Sequence, residues 1–380
     1  VVGDLRSQLA ACRTAERRLT DFAGDLGDRI DVLFSEIIDH AGRVARNAIR
    51  QLPDGQWSFE DWIDDDGVVA GEGVRLFVTV TKKDDRIIAD WTGSSPQVKG
   101  AINSTLSFTR AATYCAISSV LDGDIPENEG MFRAMEVIAP AGTVLNVQPP
   151  GACAARGLTG FRILDCVFGA LSQMVPQKVF AASDGGPTGI SIGGYDSRRR
   201  PFVYTEFSSA SWGGRPWSDG PDGISNPLSN LSLPSAEVIE SAYPLEILAC
   251  EFVTDTGGPG QFRGGMAIRR QFRFLEKEGT LQVRADRRRL SPYGLYGGLP
   301  GMASDNRLTS GEQDRQLAAK ATVQVVRGDI FTHRTAGAGG WGDPLDRDPG
   351  PVEQDVRNGF VSRSSARDDY GVVIDAAGRA

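Results

Sequence analysis

Residues 74–91 read VRLFVTVTKKDDRIIADW, and this stretch decides the fold class. Val74, Leu76, Val78 and Val80 alternate with Arg75, Phe77 and Thr79, the period of a strand with one buried face. A second alternating run, Arg86 to Trp91, follows the polar turn around Lys83 and Asp84, so the two runs predict an antiparallel β-hairpin. Upstream the period changes. Leu5, Leu9, Cys12, Leu19 and Phe22 mark a helix over 4–22, and Val32, Ile37, Ile38, Ala41, Val44, Ala45 and Ala48 mark a second over 31–49. The segment 51–73, with Pro53, Gly55 and the run Asp64-Asp65-Asp66, reads as a loop between the helices and the hairpin.

Downstream, Asn103-Ser104-Thr105 precedes the apolar run 106–121 as a helix N-cap signal. The run 159–174 is apolar nearly all round, which predicts a buried helix. From Phe180 onward short strands dominate, among them 202–207, 245–253, 266–275 and 322–326. The tail from Pro351 reads as a short helix pair. With 46 Gly and 20 Pro, the chain is rich in turns, and neither a fixed repeat nor a regular βαβ alternation occurs. The expected class is α+β, with mixed or antiparallel sheets, several buried helices and many glycine-rich loops. The expected division is a helical part over 1–70, an α+β catalytic body over 71–345 and a helical tail over 346–380.

Composition excludes several functions. The 380 residues are 40% hydrophobic and 24% charged, enough for a substantial core. Acidic residues (49) outnumber basic ones (41), giving a net charge of −8 with no strongly basic region to neutralise phosphates, so nucleic acid is not an expected partner. No apolar stretch approaches the ~18 residues of a membrane-spanning helix, so no membrane partner is expected either. Five scattered cysteines without a Cys-x-x-Cys pair fit reduced thiols and a cytoplasmic location. Most of them have apolar neighbours and read as small buried hydrophobes.

Three motifs invite chemistry. Gly189-Ile190-Ser191-Ile192-Gly193 matches the G-x-S-x-G nucleophile turn, but a turn and a strand follow where that turn needs a helix. The two histidines, His40 and His333, lie far apart in sequence, and neither reads as the base of a triad. Gly337-Ala338-Gly339-Gly340-Trp341-Gly342 spells G-x-G-x-x-G, but Asp343-Pro344 follows where a dinucleotide site begins a helix. No Walker-type loop occurs, and two isolated histidines with scattered cysteines offer no zinc-type ligand cluster. The arginine groups 198–200 and Arg284, Arg287, Arg288 and Arg289 read either as solvated faces or as anion clamps. The second group, beside the glycine-rich turn 292–298, is the better clamp.

Taken together, four blocks resemble one family: the B-type subunit of ATP-dependent hydantoinases and 5-oxoprolinases, shared with the acetone carboxylase alpha subunit. They are DWTGSSPQVKGAINSTLSFTRAATYCAISSVLDGDIPENEGMFRAMEVIAPAGTVLN (90–146), EVIESAYPLEI (237–247) running on to DTGGPGQFRGG (255–265), RADRRRLSPYGLYGGLPG (284–301), and TAGAGGWGDPLDRDP (335–349) with DYGVV (369–373). The opening GDLRSQLAACRTAERRL (3–19) also fits, so the resemblance spans nearly the whole chain.

The resemblance implies a hydrolase acting on cyclic amides within a hetero-oligomer. A separate hydantoinase A-type subunit uses ATP to phosphorylate the substrate carbonyl, and the B-type subunit completes the reaction. It also implies that family chains extend further at the N-terminus. That further segment would carry the His and Asp ligands of a catalytic divalent metal, so no metal ligand is expected here. The alternative within the family is a ketone carboxylase subunit, and outside it a non-catalytic scaffold. Some relatives carry histidines where this chain has Ser225 to Asn230, which leaves Asn226 or Asn230 as the polar group. The expected catalytic residues are Asp255, Arg263, Asp286 and Arg287. Asn103, Ser104, Asn230, Gly257, Gly258, Gly264, Gly265, Gly297 and Gly298 are expected to bind substrate. On this reading Arg287→Ala cuts turnover strongly and leaves the melting temperature nearly unchanged.

Overall fold

The computed structural model describes residues 2–69, 71–209, 211–375 and 378–379. The chain divides into two compact units, one of residues 1–51, 83–87 and 121–136, the other of the remainder.

The smaller unit holds helices α1 (Val2–Leu26) and α2 (Ile30–Arg50), separated by a 3-10 turn. Both predicted helices are present. No residue of α1 is buried, whereas α2 buries Ala41, Gly42, Ala45 and Ile49. Arg50 closes on Asp85 at 2.9 Å.

The first strands of the chain are β1 (Gly55–Ile63), β2 (Val74–Lys83) and β3 (Arg86–Asp90), so the predicted hairpin forms. β1 is a correction, because it lies inside the segment read as a loop. Its alternation is masked by Asp61, an acid at an inward position where an apolar residue is expected. β1 pairs antiparallel with β2 from Gly55↔Lys82 to Ile63↔Val74. Helix α3 (Leu106–Ser118) starts at the expected signal, with the Thr105 hydroxyl accepting from the Phe108 N–H. The one-turn helix α4 (Glu129–Phe132) and strand β4 (Met135–Ile138) have no sequence signal, being four residues each. β4 completes a sheet of order β1-β2-β3-β4. Helix α5 (Arg156–Met174) packs on β1 and α3. It meets them through glycines: a Cβ on Gly169 would lie 2.4 Å from the Phe59 ring, and one on Gly160 2.4 Å from the Phe108 ring.

The remaining strands build two facing sheets. β5 (Thr188–Tyr195) and β6 (Pro201–Ser208) precede the short helix α6 (Ala236–Ala242). Then come β7 (Leu245–Val253), β8 (Ala267–Phe274), β9 (Glu278–Arg284), β10 (Asp305–Ser310), β11 (Gln313–Gln316), β12 (Lys320–Val326) and β13 (Ile330–Arg334). One sheet runs β12-β9-β5-β6, the other β11-β10-β13-β8-β7. Ile190, Ile192 and Leu281 of the first pack with Phe272, Leu308 and Phe331 of the second in one dry core, an antiparallel sandwich. The class is α+β with open sheets, as the alternating runs and buried helices predict.

Helices α7 (Pro349–Arg357) and α8 (Arg363–Asp368) form the expected tail pair, around Val352, Val361, Ala366 and Tyr370. The cysteines need a correction. All are free, but only Cys166 is buried; Cys12 and Cys250 are exposed, and Cys115 and Cys153 half-buried. Apolar sequence neighbours do not bury a residue whose own position faces outward on its helix or strand.

Candidate functional site

Beyond its first residue, Arg156, the apolar sequence of α5 carries two charges, Arg162 and Asp165, both fully buried. A lone ion there would cost several kcal/mol, so each must find a partner. The partners come from β1 and from the turn after β9. Arg162 Nη1 lies 3.2 Å from Asp61 Oδ2, and its Nη2 lies 2.5 Å from Asp286 Oδ2. Arg287 grips Asp61 with both Nη atoms, at 2.8 and 3.2 Å, and reaches Asp165 at 3.0 Å. Three carboxylates thus surround two guanidiniums. Burial pushes Asp165 up to about 8 and Asp61 up to about 6, against the pull of Arg162. Desolvation thus outweighs the neighbouring positive charge at both acids.

The cluster is tied to its surroundings in two directions. Asp165 accepts from the Ser183 hydroxyl, which in turn accepts from Asn226 Nδ2 at 2.6 Å. Asp64 accepts from the backbone N–H groups of Arg288, Arg289 and Leu290, and its own N–H donates to Asp286. Arg287 sits at φ +60°, a left-handed conformation unusual for a large side chain, held by these contacts.

Over the first turn of α5 the surface opens. A cavity of about 330 Å³ is lined by Phe108, Phe161, Phe207, Leu231, Arg156 and Arg284. A second, of about 200 Å³, shares Ala155 and Arg284 with it and is bordered by Asp66 and Lys320. No side chain caps α5; in its first turn the Arg156 N–H donates to the Cys153 carbonyl and the Leu158 N–H to the Ala155 carbonyl. Lys320 Nζ lies 3.8 Å from Asp286, which places the buried cluster directly behind this groove.

The expected site residues fall in several places. Asp286 and Arg287 meet in the cluster, buried to 6% and 1% exposure. Arg263 belongs to a second ionic group. It pairs with Asp222 at 3.1 Å and approaches Asp355 at 3.6 Å, while Arg347 bridges Asp219 and Asp355 and so fastens the tail helices. Asp255 is exposed, in a left-handed turn at φ +59°, where it accepts from the Ser362 N–H. The Asn103 side chain staples its own loop, donating to Val98, Gly100 and Ala152 carbonyls and accepting from the Val98 N–H. Ser104 is buried against Thr109. Asn230 is exposed, whereas Asn226 joins the cluster.

The glycines meet backbone. Cβ atoms on Gly257, Gly258, Gly264 and Gly298 would lie 2.0–2.4 Å from main-chain carbonyl oxygens, and one on Gly265 2.4 Å from the Ser211 Cβ. Gly297, at φ +94°, lies against Asp343. The same interleaving fills the G-x-G-x-x-G loop, where Gly339 donates to Ala182 and Gly340 to Leu299. Ser191 lies inside β5, paired on both sides, opposite Thr205 and Gln282. His333 is buried against Asn306, and burial lowers it to about 4, so it is neutral.

Asp61, Arg162 and Asp165 escape sequence reasoning. Their signal is available all the same: an Arg-x-x-Asp pair on an otherwise buried helix announces paired interior charges. Among the described residues no three His, Cys, Asp or Glu side chains converge as a metal site. The residues present therefore do not fit the divalent metal of the resemblance, and no chemical step is assigned through one. No described helix is long and apolar enough to cross a membrane.

The family model for hydantoinase B/oxoprolinase matches residues 1–344. The B-type subunit of a putative D-/L-hydantoinase from Pseudomonas sp. (strain NS671) is 32% identical across 98% of this chain and 65% of its own length. The beta subunit of the caprolactamase of Pseudomonas jessenii is 32% identical across 99% of this chain and 67% of its own. The chain thus spans about two thirds of these relatives. The crystal structure of the ATP-dependent caprolactamase from Pseudomonas jessenii superposes with a TM-score of 0.86 at 29% identity, covering 99% of this chain and 67% of that one. A nucleotide-free acetone carboxylase structure gives 0.87 at 18% identity, covering 99% and 57%, which shows the fold alone. Given the match over residues 1–344 and these chain-long identities, the protein belongs to the hydantoinase B/oxoprolinase family.

Proposed function

We propose that this chain is part of the B-type subunit of an ATP-dependent amidohydrolase that opens a cyclic amide: a hydantoin, 5-oxoproline or a lactam. An amide carbonyl resists water because its nitrogen feeds electrons into it. Phosphorylating the oxygen, with ADP released, turns the amide into an electrophilic O-phosphoryl imidate; water then adds at the former carbonyl carbon, the ring C–N bond breaks as the nitrogen takes up a proton, and hydrolysis of the resulting acyl phosphate leaves the carboxylate and inorganic phosphate. The phosphoryl transfer belongs to a separate A-type subunit, in a hetero-oligomer working in the cytoplasm. This chain supplies the bed on which the activated ring is held.

The observation that carries the reading is the 32% identity, over 98% and 99% of the chain, to the B-type subunit of a hydantoinase and the beta subunit of a caprolactamase. The geometry supports it. The groove over α5 joins an apolar wall to cationic groups suited to an oxyanion or phosphoryl oxygen. Behind it, Asp286 and Arg287 belong to a rigid cluster that fixes α5 and the turn after β9; they act here as positioning residues. Arg263 and Asp255, with Gly257, Gly258, Gly264 and Gly265, shape a neighbouring loop. The glycine loop 337–342 is packed with backbone and has no room for a pyrophosphate, in keeping with nucleotide chemistry on the partner.

The test combines the full-length subunit with its A-type partner and measures phosphate release with hydantoin, 5-oxoproline or caprolactam. Release that depends on one of these amides and on both subunits is expected. Release only with a ketone and bicarbonate would replace hydrolysis by carboxylation, and no substrate-dependent release would leave a scaffold.

A further inference from the structure

Lys320 opens β12 with its side chain 7% exposed, and its buried Nζ makes no hydrogen bond. The nearest carboxylates, Asp65 and Asp286, stand 3.7 and 3.8 Å away, beyond hydrogen-bond reach. Asp286 is already engaged by Arg162 at 2.5 Å. A buried ammonium with unused donors is costly, and a ligand oxygen would relieve that cost.

The cavity that Lys320 borders is also bordered by Arg284, whose one side-chain hydrogen bond, to Ser191, is long at 3.4 Å. Asp66, the acid at this cavity, is committed elsewhere. Its oxygens accept from the N–H groups of Val68, Val69 and Gly100 at 2.7–2.9 Å. Two cations, Arg284 and Lys320, therefore converge where the acid is already satisfied, which selects an anion. Across Ala155 and Arg284 the adjoining cavity offers Phe108, Phe161 and Phe207, walls for a flat apolar body.

We propose that the two adjoining cavities form one binding site for a small organic carboxylate with an apolar, ring-sized body, its carboxylate between Arg284 and Lys320 and its body among Phe108, Phe161 and Phe207. This deepens the ring-opening reading and rests on it for the link to turnover. Hydrolysis of a cyclic amide adds water across the C–N bond and leaves a carboxylate, so the site would favour cyclic amides that carry an apolar substituent.

Binding is measured by calorimetry on this chain, with 3-phenylpropanoate, its neutral amide 3-phenylpropanamide, and acetate as probes. The expected result is saturable binding of the phenyl acid, about tenfold weaker binding of the amide, and no detectable binding of acetate. Arg284→Gln and Lys320→Met should each weaken the acid about tenfold and abolish its preference over the amide. Arg284→Gln decides alone if Lys320→Met does not fold. Equal binding of acid and amide, no binding of the acid, or an unchanged preference in Arg284→Gln overturns the site. The reconstituted ATP assay separates the two ideas. Acid binding without ring opening keeps the site and sinks the proposed reaction, whereas ring opening without acid binding does the reverse.

Discussion

Arg287 and Asp61, 226 positions apart in sequence, form a two-pronged pair: Nη2 to Oδ2 at 2.8 Å and Nη1 to Oδ1 at 3.2 Å, both side chains withdrawn from water. This pair, with Arg162, ties β1, α5 and the turn after β9 to one another.

Removing Arg287 should therefore cost stability before it costs chemistry, the reverse of what the sequence suggests. Arg287→Ala leaves Asp61 and Asp165 only the more distant Arg162 to share, at 3.2 and 3.8 Å, and breaking a buried pair in this way costs about 3–5 kcal/mol. Urea unfolding monitored by circular dichroism should show that loss, and Arg287→Lys should recover only part of it because one ammonium cannot hold two carboxylates in a fork. A variant as stable as the parent would mean the cluster is not paired as described.

The retained proton gives a pH signature. Asp165 holds its proton up to about 8 when folded, against 3.8 for the free side chain. An acid whose pKa is raised by folding contributes stability at low pH and loses it as pH rises between the two values. Between pH 6 and 8, where Asp61 (about 6) has largely ionised, Asp165 should therefore lower stability by at most about 1.4 kcal/mol per pH unit. Melting curves at pH 6, 7 and 8 should show a downward slope that Asp165→Asn flattens. A parent whose stability rises across this range would contradict the assignment.

Backbone-on-backbone packing predicts a sharp contrast between two glycines. A Cβ on Gly337 would sit 1.8 Å from the Thr256 carbonyl oxygen, whereas one on Gly328, at φ +93°, meets nothing within 4 Å. Gly328→Ala should cost only the left-handed penalty of about 1–2 kcal/mol. Gly337→Ala must displace main chain and should exceed the usual ~1–3 kcal/mol of overpacking, visible as loss of soluble protein or a large drop in melting temperature. Similar losses in the two variants would argue that the glycine loop is open.

The serine motif makes a chemical prediction. Ser191 sits mid-strand, with Thr205 Oγ1 at 3.4 Å and no histidine among its hydrogen-bond partners. A fluorophosphonate probe, which labels serines activated by a base, should leave the chain unmodified by mass spectrometry. Labelling at Ser191 would reinstate a nucleophile.

The sequence by itself determined the elements and the family. The hairpin at 74–91, the helices of the first 50 residues, the capped start at Thr105 and the buried helix ending at Met174 are legible because periodicity and caps act over a few residues. β1 escapes because its register carries Asp61, whose inward position makes sense only beside arginines distant in the chain. The glycine blocks are visible as glycine, but not what fills the space they leave. Only the tertiary structure decided that Thr256, Leu299 and Ala338 carbonyls fill it. It also decided that Arg263 and Arg287 serve separate ionic groups, and that Lys320 reaches a groove without a hydrogen-bond partner. The reason lies in the range of the forces. A helix or strand is fixed by neighbours in sequence, whereas the energy of a buried charge depends on which opposite charges, donors and dipoles folding brings within a few ångströms of it.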